Sequence, residues 1–130
     1  MAFPALTAFY GGLFGILFLI LSVRVSVARA RARAHHGDGG DVSLQRWIRI
    51  HANFTEYVPL TLLLIGLGES GGASAQVIRI LLIVLLAARL AHVPGMLAPE
   101  GSPQQYALRA PAIMVTWGVL LAASILLILR

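Results

Sequence analysis

The chain has 130 residues, of which 58% are hydrophobic and 12% are charged, and its mean hydropathy is +0.85. A soluble domain usually carries about 25% charged residues, so this composition excludes an ordinary soluble domain and predicts an integral membrane protein. The net charge of +5 is carried by arginine, since the chain has no lysine. In a membrane protein such a charge first sets topology, and we expect no nucleic-acid partner. Cysteine is absent, which excludes disulfides and thiol catalysis by the protein's own side chains.

The first predicted helix covers about residues 4–31. Its stretch from Phe3 to Val23 is uncharged, and the arginines follow it instead of preceding it. We therefore interpret it as a retained membrane helix and not as a secretory signal peptide. The sequence ARARARAHHGDGGD at 28–41 then predicts an exposed turn.

Three further helices are predicted, at about residues 42–69, 75–93 and 104–129. Asp41 or Ser43 is expected to cap the second helix, and Pro94 is expected to end the third. Each helix is long enough to cross a bilayer. The fold predicted for residues 1–130 is therefore one all-α domain, an integral membrane four-helix bundle.

Arginines gather at two of the three predicted loops. Arg29, Arg31, Arg33 and Arg46 flank the first loop, and Arg89 and Arg109 flank the third. Positively charged loops tend to stay in the cytoplasm, so we expect these two loops inside and both chain termini on the opposite side. Arg79 and Arg130 run against this pattern.

The first loop also carries side chains of metal-ligand type: His35, His36, Asp38 and Asp41. Their spacing matches no zinc pattern, and the glycine-rich loop is expected to be flexible. No metal site is predicted.

The second helix carries a polar face within its apolar surroundings. Arg46, Arg49, Asn53 and Glu56 are spaced by three, four and three residues, which places them within about 80° of one helical face, with Tyr57 at its border. Such side chains are costly against lipid, so we expect them to face another helix or a wet cavity.

Two interpretations of this face remain open. One is a ladder of salt bridges that holds helices together; Arg49 and Glu56 are not an i,i+4 pair, so each would need partners on other helices. The other is a binding site. Arginine pairs with carboxylates, a glutamate receives an ammonium group, and asparagine both donates and accepts. This set suits a small zwitterionic molecule with excess negative charge.

Helix two carries the motif RxxRxHANFxEYVPL. The chain also has GDGGD at 37–41, RLAH at 89–92 and an arginine that opens helix four. In these motifs it resembles the bacterial branch of the MAPEG family (membrane-associated proteins in eicosanoid and glutathione metabolism). The resemblance covers essentially the whole chain. It implies a homotrimer of four-helix subunits, with glutathione bound between neighbouring subunits in a pocket open toward the cytoplasmic half.

The resemblance also assigns residues. Arg49, Asn53, Glu56 and Tyr57 match the family's glutathione-contacting positions, and Arg46 is a looser match on the same face. Arg109 matches the arginine at the start of helix four that steadies the glutathione thiolate in catalytic members.

The chain departs from the family near the end of helix three, where eicosanoid-type members carry a tyrosine and this chain has His92. We interpret His92 as a hydrogen-bonding residue at the membrane interface. Tyr106, one turn before Arg109, either replaces the missing phenol or lies in the interface.

The function implied is a membrane glutathione transferase or peroxidase acting on lipophilic electrophiles, with glutathione as co-substrate and lipid as surroundings. Two alternatives stay open: a non-catalytic protein of the same fold that binds glutathione or lipid, and a small transporter subunit that uses the polar face as an ion path. The bacterial inner membrane is the expected location.

Overall fold

The computed structural model describes residues 2–129, and in them it contains four α-helices and no strand. The helices are α1 (Ala5–Ala32), α2 (Val42–Ser70), α3 (Ala75–Leu97) and α4 (Pro103–Ile128). All four are long and apolar enough to cross a membrane, so the predicted all-α membrane fold is confirmed. Arg130, which ran against the predicted topology, lies outside the described residues.

The third helix is longer than predicted. The sequence prediction ended it at Val93, before Pro94, but α3 continues through Pro94 to Leu97. Proline removes one backbone donor from a helix, yet its carbonyl still accepts, and the backbone N–H of Ala98 donates to it at 3.0 Å. Membrane helices tolerate proline where the packing around the freed groups compensates.

Side chains from the preceding loops cap two of the helices. The Asp41 carboxylate accepts a hydrogen bond from the backbone N–H of Leu44 at 2.7 Å, so Asp41, rather than Ser43, caps α2. Ser102 caps α4 in the same way, because its hydroxyl accepts from the N–H of Gln105 at 3.2 Å.

The start of α1 has no cap from its own preceding residues, and a side chain of α2 caps it instead. Pro4 occupies the N-cap position and makes no side-chain cap. The Glu69 carboxylate, near the end of α2, accepts from the backbone N–H groups of Leu6 and Thr7, both at 2.8 Å, and from the Thr7 hydroxyl at 2.7 Å. A negative charge at a helix N-terminus also interacts favourably with the partial positive charge of the helix dipole there.

α2 and α3 are the central helices of the bundle, since each contacts the other three. The most extensive pairings are α3 with α4 and α1 with α2. The core is apolar, and the rings of Phe14, Phe18 and Phe54 meet between α1 and α2.

α3 and α4 approach most closely at Gly95. A Cβ atom built on Gly95 would lie 2.6 Å from the backbone nitrogen of Arg109 and 3.0 Å from its Cα. Only glycine permits this approach of two helix backbones. The position of Arg109 is thereby fixed by main-chain packing.

Loops one and three lie at one end of the bundle. Near the start of α2, the Arg46 guanidinium donates to the carbonyls of Leu97 and Ala98 at the end of α3, at 3.1 and 3.3 Å. At the other end, the Ala2 N–H donates to the Ser70 carbonyl at 3.2 Å, so the start of the chain lies beside loop two.

This arrangement makes the predicted topology testable. With no native cysteine, His36→Cys in loop one and Ser74→Cys in loop two provide single exposed labelling positions. We expect a membrane-impermeant maleimide, applied to intact spheroplasts, to label position 74 and to reach position 36 only after lysis. Glycines at 39 and 72 are less suitable, since both have positive φ. Labelling of both cysteines from one side would contradict the four-span topology.

Candidate ligand site at the arginine-bearing end of the second helix

A polar groove of about 210 Å³ opens where α2, the end of α3 and the start of α4 meet. It contains three of the residues predicted from the sequence, Arg46, Arg49 and Arg109. One acidic residue, Glu100, also lines it. We call this the arginine groove. Its excess of guanidinium groups makes it suited to an anionic ligand.

A second, apolar groove of about 430 Å³ runs along the outer face of α4. Tyr106, Ile113, Met114 and Trp117 form its apolar wall. Arg109 and Gln105 line this apolar groove as well as the arginine groove. The two grooves therefore adjoin at Gln105 and Arg109.

Arg49 and Glu56 contact each other along α2. An Arg49 guanidinium nitrogen lies 3.9 Å from a Glu56 carboxylate oxygen, and the side chains are 58% and 49% exposed. The expectation that each would need a partner on another helix was wrong. Seven residues span almost two full turns, or about 10.5 Å of rise, and the long arginine side chain bridges that distance on the same face. A long contact between exposed groups is weak, so both groups remain available to a ligand.

Asn53 is half-buried, and its side-chain oxygen is directed toward Arg89 of α3. Its side-chain oxygen Oδ1 accepts from an Arg89 guanidinium nitrogen at 2.7 Å. Arg89 is only 2% exposed, although the sequence prediction treated it as a residue flanking loop three. That interpretation was wrong, because α3 extends two turns beyond it. Its place directly after the apolar stretch 80–88 of α3 is the sequence signal that could have identified it as a buried arginine.

His92 is part of the same buried cluster. Its Nδ1 atom lies 3.1 Å from the Arg89 guanidinium, and its side chain is 1% exposed. Because a guanidinium only donates, Nδ1 must accept, which places the proton of a neutral ring on Nε2. The predicted hydrogen-bonding role of His92 is confirmed, and the ring lies inside the bundle and not on its surface.

Tyr57 and Tyr106 lie at the edges of the site. The Tyr57 ring packs against Trp117 with centroids 6.5 Å apart, which connects the polar face of α2 to the apolar groove. Tyr106 is 69% exposed and lines that groove. Within residues 2–129, no group of three or more metal-ligand side chains is placed to hold an ion.

Comparisons with known proteins agree with this architecture. The model of the MAPEG family matches residues 7–129. Inner membrane protein YecN of Escherichia coli strain K12 is 38% identical over 89 residues, which are 68% of this chain and 68% of that protein. The protein of the same name from strain O6:H1 matches equally. No solved structure shows a significant match. The family match over nearly the whole chain, together with four helices able to span a membrane, identifies the chain as an integral membrane protein that belongs to the MAPEG family.

Proposed function

We propose that the protein is a glutathione-dependent transferase or peroxidase of the bacterial inner membrane that acts on lipophilic electrophiles. The observation that carries this proposal is the position of Arg109, which lines both the arginine groove and the apolar groove. A polar thiol compound in the first groove and an apolar co-substrate in the second would meet at its guanidinium.

The charges of the site match those of glutathione, which has two carboxylates and one ammonium group. In this proposal Arg46 and Arg49 bind the carboxylates by paired hydrogen bonds. Glu56 would receive the ammonium group, with Asn53 and Tyr57 as further polar contacts; these three lie farther along α2 and do not line the arginine groove itself. The contact between Arg49 and Glu56 is long and exposed, so little stabilisation is lost when a ligand replaces it.

The exposure of the polar face of α2 supports assembly into the homotrimer that the family resemblance implies. Arg49 and Glu56 are about half exposed in one chain, yet they belong to a helix able to span the membrane. Ionised side chains against lipid are costly and are usually covered by protein or a wet cavity. A second copy packed on this face would provide that cover and close the ligand site.

The chemistry requires a thiolate. A free thiol has a pKa of about 8.5 and is only a few per cent ionised at pH 7. Positive charge beside the sulfur favours the ionised form, and Arg109 would supply it. Arginine stays protonated and is not the base, so the proton passes to water or to a ligand carboxylate.

The thiolate then acts on the apolar co-substrate. With a carbon electrophile, a sulfur–carbon bond forms as the leaving group departs with the electron pair. With a hydroperoxide, sulfur takes the distal oxygen and an alcohol is released; a second glutathione then converts the sulfenic acid to a disulfide and water. Calorimetric titration of glutathione into the protein in detergent separates this proposal from an ion-conducting subunit, which would show no binding.

We predict that Glu56→Gln weakens glutathione binding by ~1.5–3 kcal/mol, since a charge-assisted hydrogen bond to the ammonium group is lost. Calorimetry measures the change. Glu100→Gln is the matched control, because it removes the same charge from the loop end of the arginine groove; there we expect unchanged or tighter binding. Equal losses in both variants, or none in Glu56→Gln, would contradict a specific role for Glu56.

A further inference from the structure

The side chain of Arg89 holds a positive charge inside the bundle without an acidic partner. It is 2% exposed, and no carboxylate among residues 2–129 pairs with it. Its guanidinium instead donates to three neutral acceptors, Asn53 Oδ1 at 2.7 Å, His92 Nδ1 at 3.1 Å and Thr116 Oγ1 at 3.3 Å. Its Nε has no partner. A buried charge held in this way is expensive, which calls for a reason beyond packing.

The shortest of these contacts fixes the orientation of an amide. A guanidinium has donors only, so the atom of Asn53 that faces Arg89 must be the oxygen. The amide nitrogen Nδ2 diverges from the same carbon and therefore points away from Arg89. Asn53 is half-buried and lies between Arg49 and Glu56 in the spacing of the polar face, so its outward group is an NH₂ donor.

Arg89 also strengthens that donor. Hydrogen-bonded groups polarise one another in a medium of low dielectric constant, and a cation on the oxygen draws electron density from the amide nitrogen. The other two acceptors, His92 and Thr116, hold the guanidinium in place. The Thr116 hydroxyl is itself fixed, because it donates to the Ala112 carbonyl at 2.8 Å.

We propose that Arg89 is a positioning residue that holds the Asn53 side chain with its NH₂ group toward the ligand. Asn53 then recognises a hydrogen-bond acceptor, which is a carbonyl or carboxylate oxygen of the bound thiol peptide. A ligand with a hydrogen-bond donor at this position is rejected. This inference rests on the proposed function for the identity of the ligand. It narrows the role of Asn53 from a residue that both donates and accepts to one that only donates. Arg89 then strengthens ligand binding without contacting the ligand, because its charge polarises the Asn53 amide.

The first measurement needs no ligand. Asn53 is the only asparagine in the chain, so asparagine-selective ¹⁵N labelling gives a single side-chain NH₂ signal in micelles. We expect Arg89→Lys to shift this signal strongly, since two different guanidinium nitrogens hold the three acceptors and the single nitrogen of an ammonium group does not reproduce that geometry. Arg79→Lys is the matched control, an exposed arginine on the same helix, and should leave the signal in place. Equal spectra for both variants would overturn the inference, whether or not the protein binds glutathione.

The second measurement is a double-mutant cycle on glutathione affinity. We expect Arg89→Lys to weaken binding about tenfold or more when Asn53 is present, and less than about twofold in an Asn53→Ala background, because the effect passes through that amide. A merely structural role for Arg89 would give equal losses in both backgrounds and would overturn the inference. Absence of binding in the wild-type protein would contradict the proposed function, while the NMR comparison would still decide the role of Arg89.

A third variant does not depend on the folding of Arg89→Lys. Asn53→Asp keeps an oxygen acceptor for Arg89 and adds an ion pair, but it has no NH₂ group. We expect its melting temperature to equal or exceed that of the wild type while glutathione affinity falls about tenfold or more. A variant that binds like the wild type would overturn the inference.

Discussion

Replacing Arg109 by alanine is expected to leave glutathione affinity nearly intact and to slow conjugation by about ten- to a thousand-fold, on the order of one to four kcal/mol. The reason is that the carboxylates of glutathione are assigned to Arg46 and Arg49, whereas Arg109 lies where the arginine groove meets the apolar groove. A guanidinium at that junction matters mainly when the sulfur is charged. Its loss raises the pKa of the bound thiol.

The measurement is the ultraviolet absorbance of the thiolate of bound glutathione against pH, with conjugation to an aryl halide followed in parallel. Arg109→Lys should recover part of the rate, since it keeps the charge but loses the planar fork. Arg79→Ala, at the opposite end of α3, should change neither quantity. If the wild type binds glutathione without forming thiolate below about pH 8, the protein binds but does not activate the thiol. If the alanine variant forms thiolate equally well, Arg109 only anchors α4 at the membrane surface.

Gly95→Ala is expected to lower the free energy of unfolding by about 1–3 kcal/mol, the usual cost of overpacking. The added Cβ would lie 2.6 Å from the Arg109 nitrogen and 3.0 Å from both the Arg109 Cα and the Leu108 carbonyl carbon. These are main-chain atoms of a helix and have no rotamer by which to yield, so α3 and α4 must separate. Arg109 moves with α4, and we expect conjugation to slow as well.

Gly118→Ala is the matched control for this prediction. Gly118 lies in α4 with nothing within 4 Å of a built Cβ, so alanine there should be neutral or stabilising by up to about 1 kcal/mol through helix propensity. Thermal unfolding in detergent micelles measures both variants. Equal stability of the two would show that the contact between α3 and α4 at Gly95 is not tight in solution.

The helices and the polar face were predictable from sequence because both depend on local patterns. Long, predominantly apolar stretches identify the spans, and the three-four-three spacing places Arg46, Arg49, Asn53 and Glu56 on one face. The continuation of α3 past Pro94 was not predictable in this way, since the local cost of proline was outweighed by packing with α4.

The part of the site that sequence reasoning missed depends on contacts between helices. Arg89 was interpreted as a charge that flanks loop three, because the predicted third helix ended only four residues after it. A residue so close to a helix end is expected at the surface, whereas the longer α3 of the structure places Arg89 inside the bundle. The contact of Arg49 with Glu56 was missed because the i,i+4 rule describes adjacent turns and does not consider how far an extended arginine reaches. The meeting of two grooves at Arg109 has no local signal at all.

The carboxylate of Glu69 has a consequence for the order in which the chain is assembled. It caps the start of α1, yet it follows Leu6 and Thr7 by 63 and 62 residues. During synthesis α1 therefore enters the membrane before the group that satisfies these backbone donors has been made. We therefore expect α1 and α2 to reach their final hydrogen bonding together, as a hairpin, once the ribosome has finished the second span.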